Sequence, residues 1–176
     1  MRRRAIIFFL LAFVISTAAC FAKDMYPSKL ENGKLILVDA QMGVGLYADR
    51  SSVHVKECNP PNYEISIDVI PVTFSEEYYQ SHGTYIGSPC EIGERNNHVF
   101  RYNSAKKTVS YNDNGEWKTW DINGEYSHAD GDPQIPYTAE TAFATAFQKK
   151  FYGNTKKNDK SKVIDNKFYK ILGIKR

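Results

Sequence analysis

Three side chains that could bind a metal ion lie close together in one polar segment of the chain. His128, Asp130 and Asp132 are separated by single small residues. One imidazole and two carboxylates suit zinc, which takes four ligands in most protein sites. The other three histidines have no short spacing that would add a fourth ligand. We therefore predict a solvated loop and no cofactor, with the metal site of a small secreted hydrolase as the alternative.

Cys58 and Cys90 offer a second chemistry, with two interpretations. Either thiol could act as a nucleophile if His54 or His98 removed its proton. Alternatively, the two cysteines form a disulfide, as even numbers of cysteines usually do in exported chains. The bridge would close a loop of about 33 residues and stabilise the fold by roughly 3 to 4 kcal/mol. We predict the disulfide.

Other catalytic patterns are missing from the sequence. It contains no Gly-x-Ser-x-Gly turn and no glycine-rich loop for phosphate. The neighbouring carboxylates Glu76 and Glu77 lack the apolar surroundings that would make one of them a general acid. We therefore predict no catalytic residue.

Aromatic side chains in polar segments indicate a contact surface instead. Tyr78, Tyr79 and Tyr85 fall in a predicted long loop over residues 75–97, and Trp117 falls on a strand face directed away from the core. Tyrosine and tryptophan are frequent in binding sites because they offer a large contact area with few rotatable bonds. Partial burial within the domain is the other interpretation of these residues.

Alternating apolar and polar residues predict an antiparallel sheet. The clearest strand covers residues 63–74, where Tyr63, Ile65 and Ile67 alternate with polar side chains. Shorter strands are predicted over residues 34–38, 44–47 and 52–58.

A three-strand meander follows, over residues 98–103, 107–112 and 116–122. Asn114-Gly115 is the dipeptide preferred in two-residue hairpin turns, because both positions need positive φ. This turn places Val109 opposite Trp120 and Tyr111 opposite Lys118. Trp120 and Ile122 would then face the core, with Trp117 and Thr119 on the other face.

One helix is clear in the C-terminal third. Thr138 is a candidate N-cap, and Phe143, Phe147 and Phe151 recur every four residues before Gly153 at the end. A weaker helix is predicted over residues 163–174. The fold class is therefore α+β: an antiparallel β-meander sheet packed by one C-terminal α-helix, with one disulfide.

The first 22 residues have the pattern of a secretory signal peptide. Three arginines precede an apolar run over residues 5–15, and small residues follow. We predict cleavage after Ala22. Lipidation of Cys20 and an uncleaved anchor are the alternatives, and through either one the protein would be attached to a membrane.

Charge divides the exported chain into an acidic body and a basic tail. Residues 23–152 carry 12 basic and 18 acidic side chains, whereas residues 153–176 carry 8 and 2. We predict a single secreted domain over residues 23–153 and a mobile basic tail over residues 154–176. The tail could attract an anionic surface, but export argues against a nucleic-acid partner.

Four short segments carry resemblances to known proteins. The segments WKTWDING at 117–124 and KFYG at 150–153, with the helix between them, resemble a group of uncharacterised small secreted bacterial proteins. The order of VHVK at 53–56, a long loop, RY at 101–102 and a tryptophan-bearing strand is similar to the surface-adhesin E family. That resemblance implies an exported β-sheet protein that binds host proteins.

Together these features predict a non-enzymatic binding module of the periplasm or cell surface, and the resemblance to the surface-adhesin E family implies an adhesin-like activity. Its ligand would be a protein or a polysaccharide. A secreted inhibitor of a wall-degrading or proteolytic enzyme is an alternative, with the long loop as the inserting element. The small hydrolase described above is another.

Overall fold

An eight-stranded antiparallel sheet forms the centre of the structure, a computed structural model that describes residues 23–122, 132, 134–152, 164 and 166–174. The order across the sheet follows the chain, as β1-β2-β3-β4-β6-β7-β8, and the short β5 pairs with the end of β4. The strands are β1 (Lys29–Leu30), β2 (Leu35–Gln41), β3 (Val44–Asn59), β4 (Asn62–Phe74), β5 (Cys90–Ile92), β6 (Asn96–Asn103), β7 (Thr108–Asp113) and β8 (Glu116–Asp121).

The predicted strand over residues 63–74 and the predicted meander are confirmed. In the β7–β8 hairpin, Val109 lies opposite Trp120 and Tyr111 opposite Lys118, as the Asn-Gly turn requires. Trp120 and Ile122 are buried on the core face. The two short strands predicted over residues 44–47 and 52–58 are parts of one long strand, β3.

Apolar side chains of β4 divide between the two faces of the sheet. Ile65, Ile67 and Val69 lie on the first face, and Ile70, Val72 and Phe74 on the second. The sheet therefore builds two cores. The first core lies under the C-terminal helices, and the second core lies under the N-terminal segment and the residues that follow β4.

Two C-terminal helices, α2 (Gln134–Phe147) and α3 (Asn166–Leu172), cover the first core. The predicted start of α2 at Thr138 is wrong, because Thr138 is fully buried inside the helix. The helix also ends before Phe151, since Gln148 adopts a left-handed conformation with φ 54°. Phe151 nevertheless joins the phenylalanine cluster from the turn, with its ring 4.9 Å from that of Phe143.

A buried carboxylate holds this turn in place. Glu140 of α2 is fully buried and accepts hydrogen bonds from the backbone amides of Phe151 (3.0 Å) and Tyr152 (3.2 Å). Tyr152 in turn accepts a hydrogen bond from the Trp120 indole at 2.9 Å. Glu140 thereby connects α2, the turn after it and the last strand of the meander.

The second core is covered in part by a helix that lies within the loop predicted over residues 75–97. α1 (Glu76–His82) begins at Ser75, whose hydroxyl accepts from the Tyr78 amide, and ends at Gly83 with φ 67°. Tyr85 follows it and packs against Tyr26 and Phe74. The predictions of a long loop over residues 75–97 and of helix only in the C-terminal part are therefore wrong, whereas α3 confirms the weaker helix predicted over residues 163–174. None of the helices in the described parts of the chain is long and apolar enough to span a membrane.

The predicted disulfide is also wrong, because the two cysteines lie at opposite ends of β4. Cys58 pairs with Tyr63, whereas Cys90 pairs with Phe74. At about 3.3 Å per residue these partners are roughly 35 Å apart. A disulfide needs Cα atoms within about 7 Å. Both cysteines are exposed free thiols.

This geometry predicts that both thiols react in the native protein. Iodoacetamide added without a reductant should modify Cys58 and Cys90, as read by peptide mass after digestion. Replacing Cys58 by serine should change the free energy of unfolding by less than about 0.5 kcal/mol, because an exposed side chain is altered. A cross-linked peptide that contains both cysteines would contradict the structure.

Glu140 predicts a stability that depends on pH. Burial raises the pKa of its carboxyl to about 7 from an ordinary 4.5, although the nearby Tyr169 hydroxyl and the two backbone amides limit the rise. Below pH 4.5 the carboxyl is protonated in both the folded and the unfolded chain. Between pH 4.5 and 7 only the unfolded chain loses the proton, so the free energy of unfolding falls by about 3 kcal/mol and then stays level.

The Glu140→Gln variant should lose this dependence. Denaturation curves from pH 4 to 8 would measure it, with the exposed Glu77→Gln as the matched control. As the pH rises from 4.5 to 7, the free energy of unfolding of the wild type should fall by about 3 kcal/mol relative to that of Glu140→Gln. Parallel curves for the two proteins would show that the carboxyl titrates normally.

Candidate functional site

Among the residues that the structure describes, α1 and the N-terminal segment cover only part of the second face of the sheet. The second core ends at Ile70 of β4 and Tyr47 of β3, and beyond them the outward side chains become polar. We call this uncovered part the open face. Its side chains include Glu57, Asn62, Glu64, Val99, Arg101, Asn103, Ser110, Trp117 and Thr119.

An irregularity in β3 marks the boundary between the covered part and the open face. The register between β3 and β4 shifts between Asp49 and His54, where β3 also loses its pairing with β2. Asp49 is 2% exposed and accepts hydrogen bonds from the amide (2.8 Å) and hydroxyl (2.5 Å) of Ser51 and from the Arg95 guanidinium. Burial by itself would raise the pKa of Asp49, but these hydrogen bonds outweigh it and hold the pKa below its usual value.

Five polar side chains form one row across the open face. Glu57 lies opposite Glu64, Glu64 opposite Arg101, Arg101 opposite Ser110, and Ser110 opposite Thr119. We call these five residues the cross-strand row. It crosses five strands, and neighbouring strands lie about 4.8 Å apart, so its length is about 19 Å.

Arg101 is held in a fixed orientation at the centre of this row. Its Nε donates to Glu64 at 2.8 Å, and its guanidinium carbon lies 3.8 Å from the centre of the Trp117 ring. Stacking and the ion pair together restrict a side chain that is still 54% exposed. Its two terminal nitrogens have no partner among the described residues, so they are available to a ligand.

A groove of about 270 Å³ lies beside Arg101 on the open face. Its lining residues include Glu57, Asn62, Asn103 and Ser110 beside Tyr63 and Tyr102. The Asn103 amide donates to Asn62 at 2.8 Å, and the hydroxyls of Ser110 and Thr119 are 2.5 Å apart. The groove therefore presents donors and acceptors at fixed positions, in a space slightly smaller than pockets for drug-sized ligands.

Among the predicted contact residues, the structure places only Trp117 on the open face. Tyr85 is buried in the second core and donates to Glu76 at 2.9 Å. Tyr79 stacks on Tyr85 with ring centres 4.7 Å apart, and Tyr78 stacks on His82 at 4.0 Å. Tyr79 and Tyr85 therefore pack α1 and the segment after it against the second core, whereas Tyr78 packs on its own helix.

The predicted metal-binding residues fall largely outside the described part of the chain. This holds for His128 and Asp130, whereas Asp132 accepts hydrogen bonds from the amide (2.9 Å) and the side chain (3.0 Å) of Gln134. Within the described residues, no group of three or more His, Cys, Asp or Glu side chains is placed to hold a metal ion.

A second cavity, of about 440 Å³, lies at the start of α2 on the other side of the sheet. His98 and Asp132 both contribute to its wall. Burial lowers the pKa of His98, an effect that the charges of Asp132 and Asp68 partly oppose. The imidazole is therefore neutral at pH 7 and can both donate and accept a hydrogen bond.

Strand register also separates each cysteine from the histidines that were its proposed partners. Cys58 lies opposite Tyr63 and His54 opposite Ser66, three residues or about 10 Å along β4. Cys90 lies opposite Phe74, whereas His98 lies opposite Ile67, seven residues away. Neither thiol is within hydrogen-bond reach of either imidazole.

The contacts of Arg101 with Trp117 and Glu64 were not predicted from the sequence. Glu64 and Arg101 meet through the pairing of β4 with β6, and 21 residues separate these two strands in the chain. No local pattern fixes the register of such a distant pair. The alternation of Arg101 with buried Phe100 and Tyr102 was the available signal, because it places Arg101 on the face opposite the core.

The chain was compared with protein-family models, with curated proteins and with solved structures, and none of the three comparisons finds a match. The resemblances noted in the sequence therefore stay predictions.

The contact between Arg101 and Trp117 predicts a measurable coupling. In a double-mutant cycle of Arg101→Ala and Trp117→Ala, the double variant should lose an amount of unfolding free energy that differs from the sum of the two single losses by about 0.5 to 1 kcal/mol. Chemical denaturation of the four proteins measures it. The exposed Lys29→Ala on β1 is the matched control and should be additive with Trp117→Ala. Additive losses for both pairs would mean that the stacked geometry does not persist in solution.

Proposed function

We propose that the protein is an exported, non-enzymatic binding module of the periplasm or cell surface, and that the open face is its binding site. The observation that carries the proposal is Arg101, which is held between Glu64 and the Trp117 ring while its side chain stays 54% exposed. Ordering such a long side chain before a ligand arrives removes part of the entropy cost of binding.

The setting of this arginine supports a binding role over a purely structural one. An exposed ion pair of this kind contributes at most about 1 kcal/mol to stability. The fold does not depend on it, because both cores lie elsewhere. Polar side chains on neighbouring strands extend the same surface over five strands.

The proposed location comes from the first 22 residues, whose pattern of arginines, apolar run and small residues indicates export. The inhibitor alternative depended on a protruding loop over residues 75–97. In the structure Tyr85 and the pairing of β5 with β4 anchor that segment to the sheet. The open face therefore gives the better account of binding.

Binding to the envelope of the producing cells would test the proposal. The protein is labelled with a fluorophore at Cys90, which lies at the far end of β4 from the open face, with Cys58 replaced by serine. Saturable binding to isolated envelopes is expected. The Arg101→Ala, Trp117→Ala double variant should weaken it at least about tenfold, as expected for an aromatic and arginine contact centre.

The matched control is Lys29→Ala combined with Tyr78→Ala, which removes a cation and an aromatic ring away from the open face. It should bind like the wild type. Circular dichroism would confirm that all variants are folded. An absence of saturable binding, or equal loss in both double variants, would reject the open face as the binding site.

A further inference from the structure

We infer that the ligand of the open face is a neutral, linear glycan whose sugar units lie along the cross-strand row. This inference rests on the proposed function and specifies its ligand. It is carried by three properties of the open face: the chemical groups in the groove, their net charge, and the length of the row.

The groove offers hydrogen-bonding groups that match sugar hydroxyls. A hydroxyl both donates and accepts, and neighbouring hydroxyls on a ring form pairs that a planar side chain can bind together. The Glu57 carboxylate accepts, the terminal nitrogens of Arg101 donate, and the Asn62 amide supplies a donor that no described residue uses. These three planar groups line one groove.

The charges of the groove favour a neutral ligand over an acidic one. Arg101 is already paired with Glu64, whereas Glu57 has no cationic partner among the described residues. Counted over the described residues, the groove together with Glu64, the ion-pair partner of Arg101, carries two carboxylates and one guanidinium, a net negative charge. A phosphate, sulfate or uronic acid placed there would be repelled, whereas neutral hydroxyls can donate to the carboxylate.

The open face also contains too little apolar surface for a protein partner. The centres of protein interfaces are apolar, with charged residues depleted. Among the described side chains that register places on the open face, Trp117 and Val99 are the apolar ones, and most of their neighbours are charged or polar. One indole is enough for a glycan, because the face of Trp117 opposite Arg101 can stack against the C–H side of a sugar ring and hydroxyls make the remaining contacts.

The length of the row sets the expected size of the ligand. The row from Glu57 to Thr119 spans about 19 Å, with a polar side chain at each strand spacing of about 4.8 Å. A pyranose unit in an extended chain advances by about one such spacing. About four units therefore fill the row, and further units would extend past the sheet.

A glycan array tests the inference on the full exported protein. The probes are linear oligomers of glucose, N-acetylglucosamine, mannose and galactose with one to six units, and uronic-acid oligomers of the same lengths. At least one neutral series should bind, with affinity that rises to about four units and then stays level. Glu57→Gln should weaken that binding about tenfold, whereas Glu77→Gln, an exposed glutamate of α1, should not change it.

Three outcomes would overturn the inference: preference for uronic-acid oligomers, affinity that does not depend on length, or insensitivity to Glu57→Gln. These outcomes are separable from failure of the proposed function. In one result, the protein binds to envelopes while no glycan on the array binds it. If protease treatment of the envelopes then abolishes binding, the ligand is a protein, and only the glycan inference is rejected. If envelope binding is absent as well, both proposals fall.

Discussion

The division of β4 into two differently patterned halves is the constraint on which the rest of the structure depends. Apolar residues on its first face continue along most of its length, but on its second face they begin only at Ile70. Apolar faces must be covered, so α2 and α3 cover the first core, whereas α1 and the N-terminal segment cover the second core at the end of β4. The open face is what remains. Its position therefore follows from where β4 stops being apolar.

The helical layer depends on a different kind of contact, a carboxylate held in the interior. Burying Glu140 is unfavourable, and the structure reduces this cost by directing the amides of Phe151 and Tyr152 at it. An apolar residue could not capture the turn after α2 in this way, because it offers no acceptor to those amides. The interaction gives the turn a defined position where apolar packing by itself would allow several.

Features encoded by neighbouring residues were predictable from the sequence, and those encoded by distant ones were not. The period of β4 and the Asn-Gly turn gave the strands, the register of the last hairpin and the orientation of Trp117. The end of α2 was misplaced because Glu140 captures the amide of Phe151, eleven residues away. α1 was missed because its packing partner Tyr26 lies some 50 residues earlier. The disulfide was inferred from compartment and cysteine number, which carry no information about distance.

The order of the strands has a consequence for how the chain folds as it emerges from N- to C-terminus. Nearly every strand pairs with its neighbour in sequence, so hairpins can form locally and early. The first face of the sheet, however, is covered only by α2, the turn at residues 151–152 and α3, all of which come last. Until about residue 172 is available, a partly formed sheet has a bare apolar surface and little net stability. The first core can therefore close only after the residues of α3 have been added to the chain.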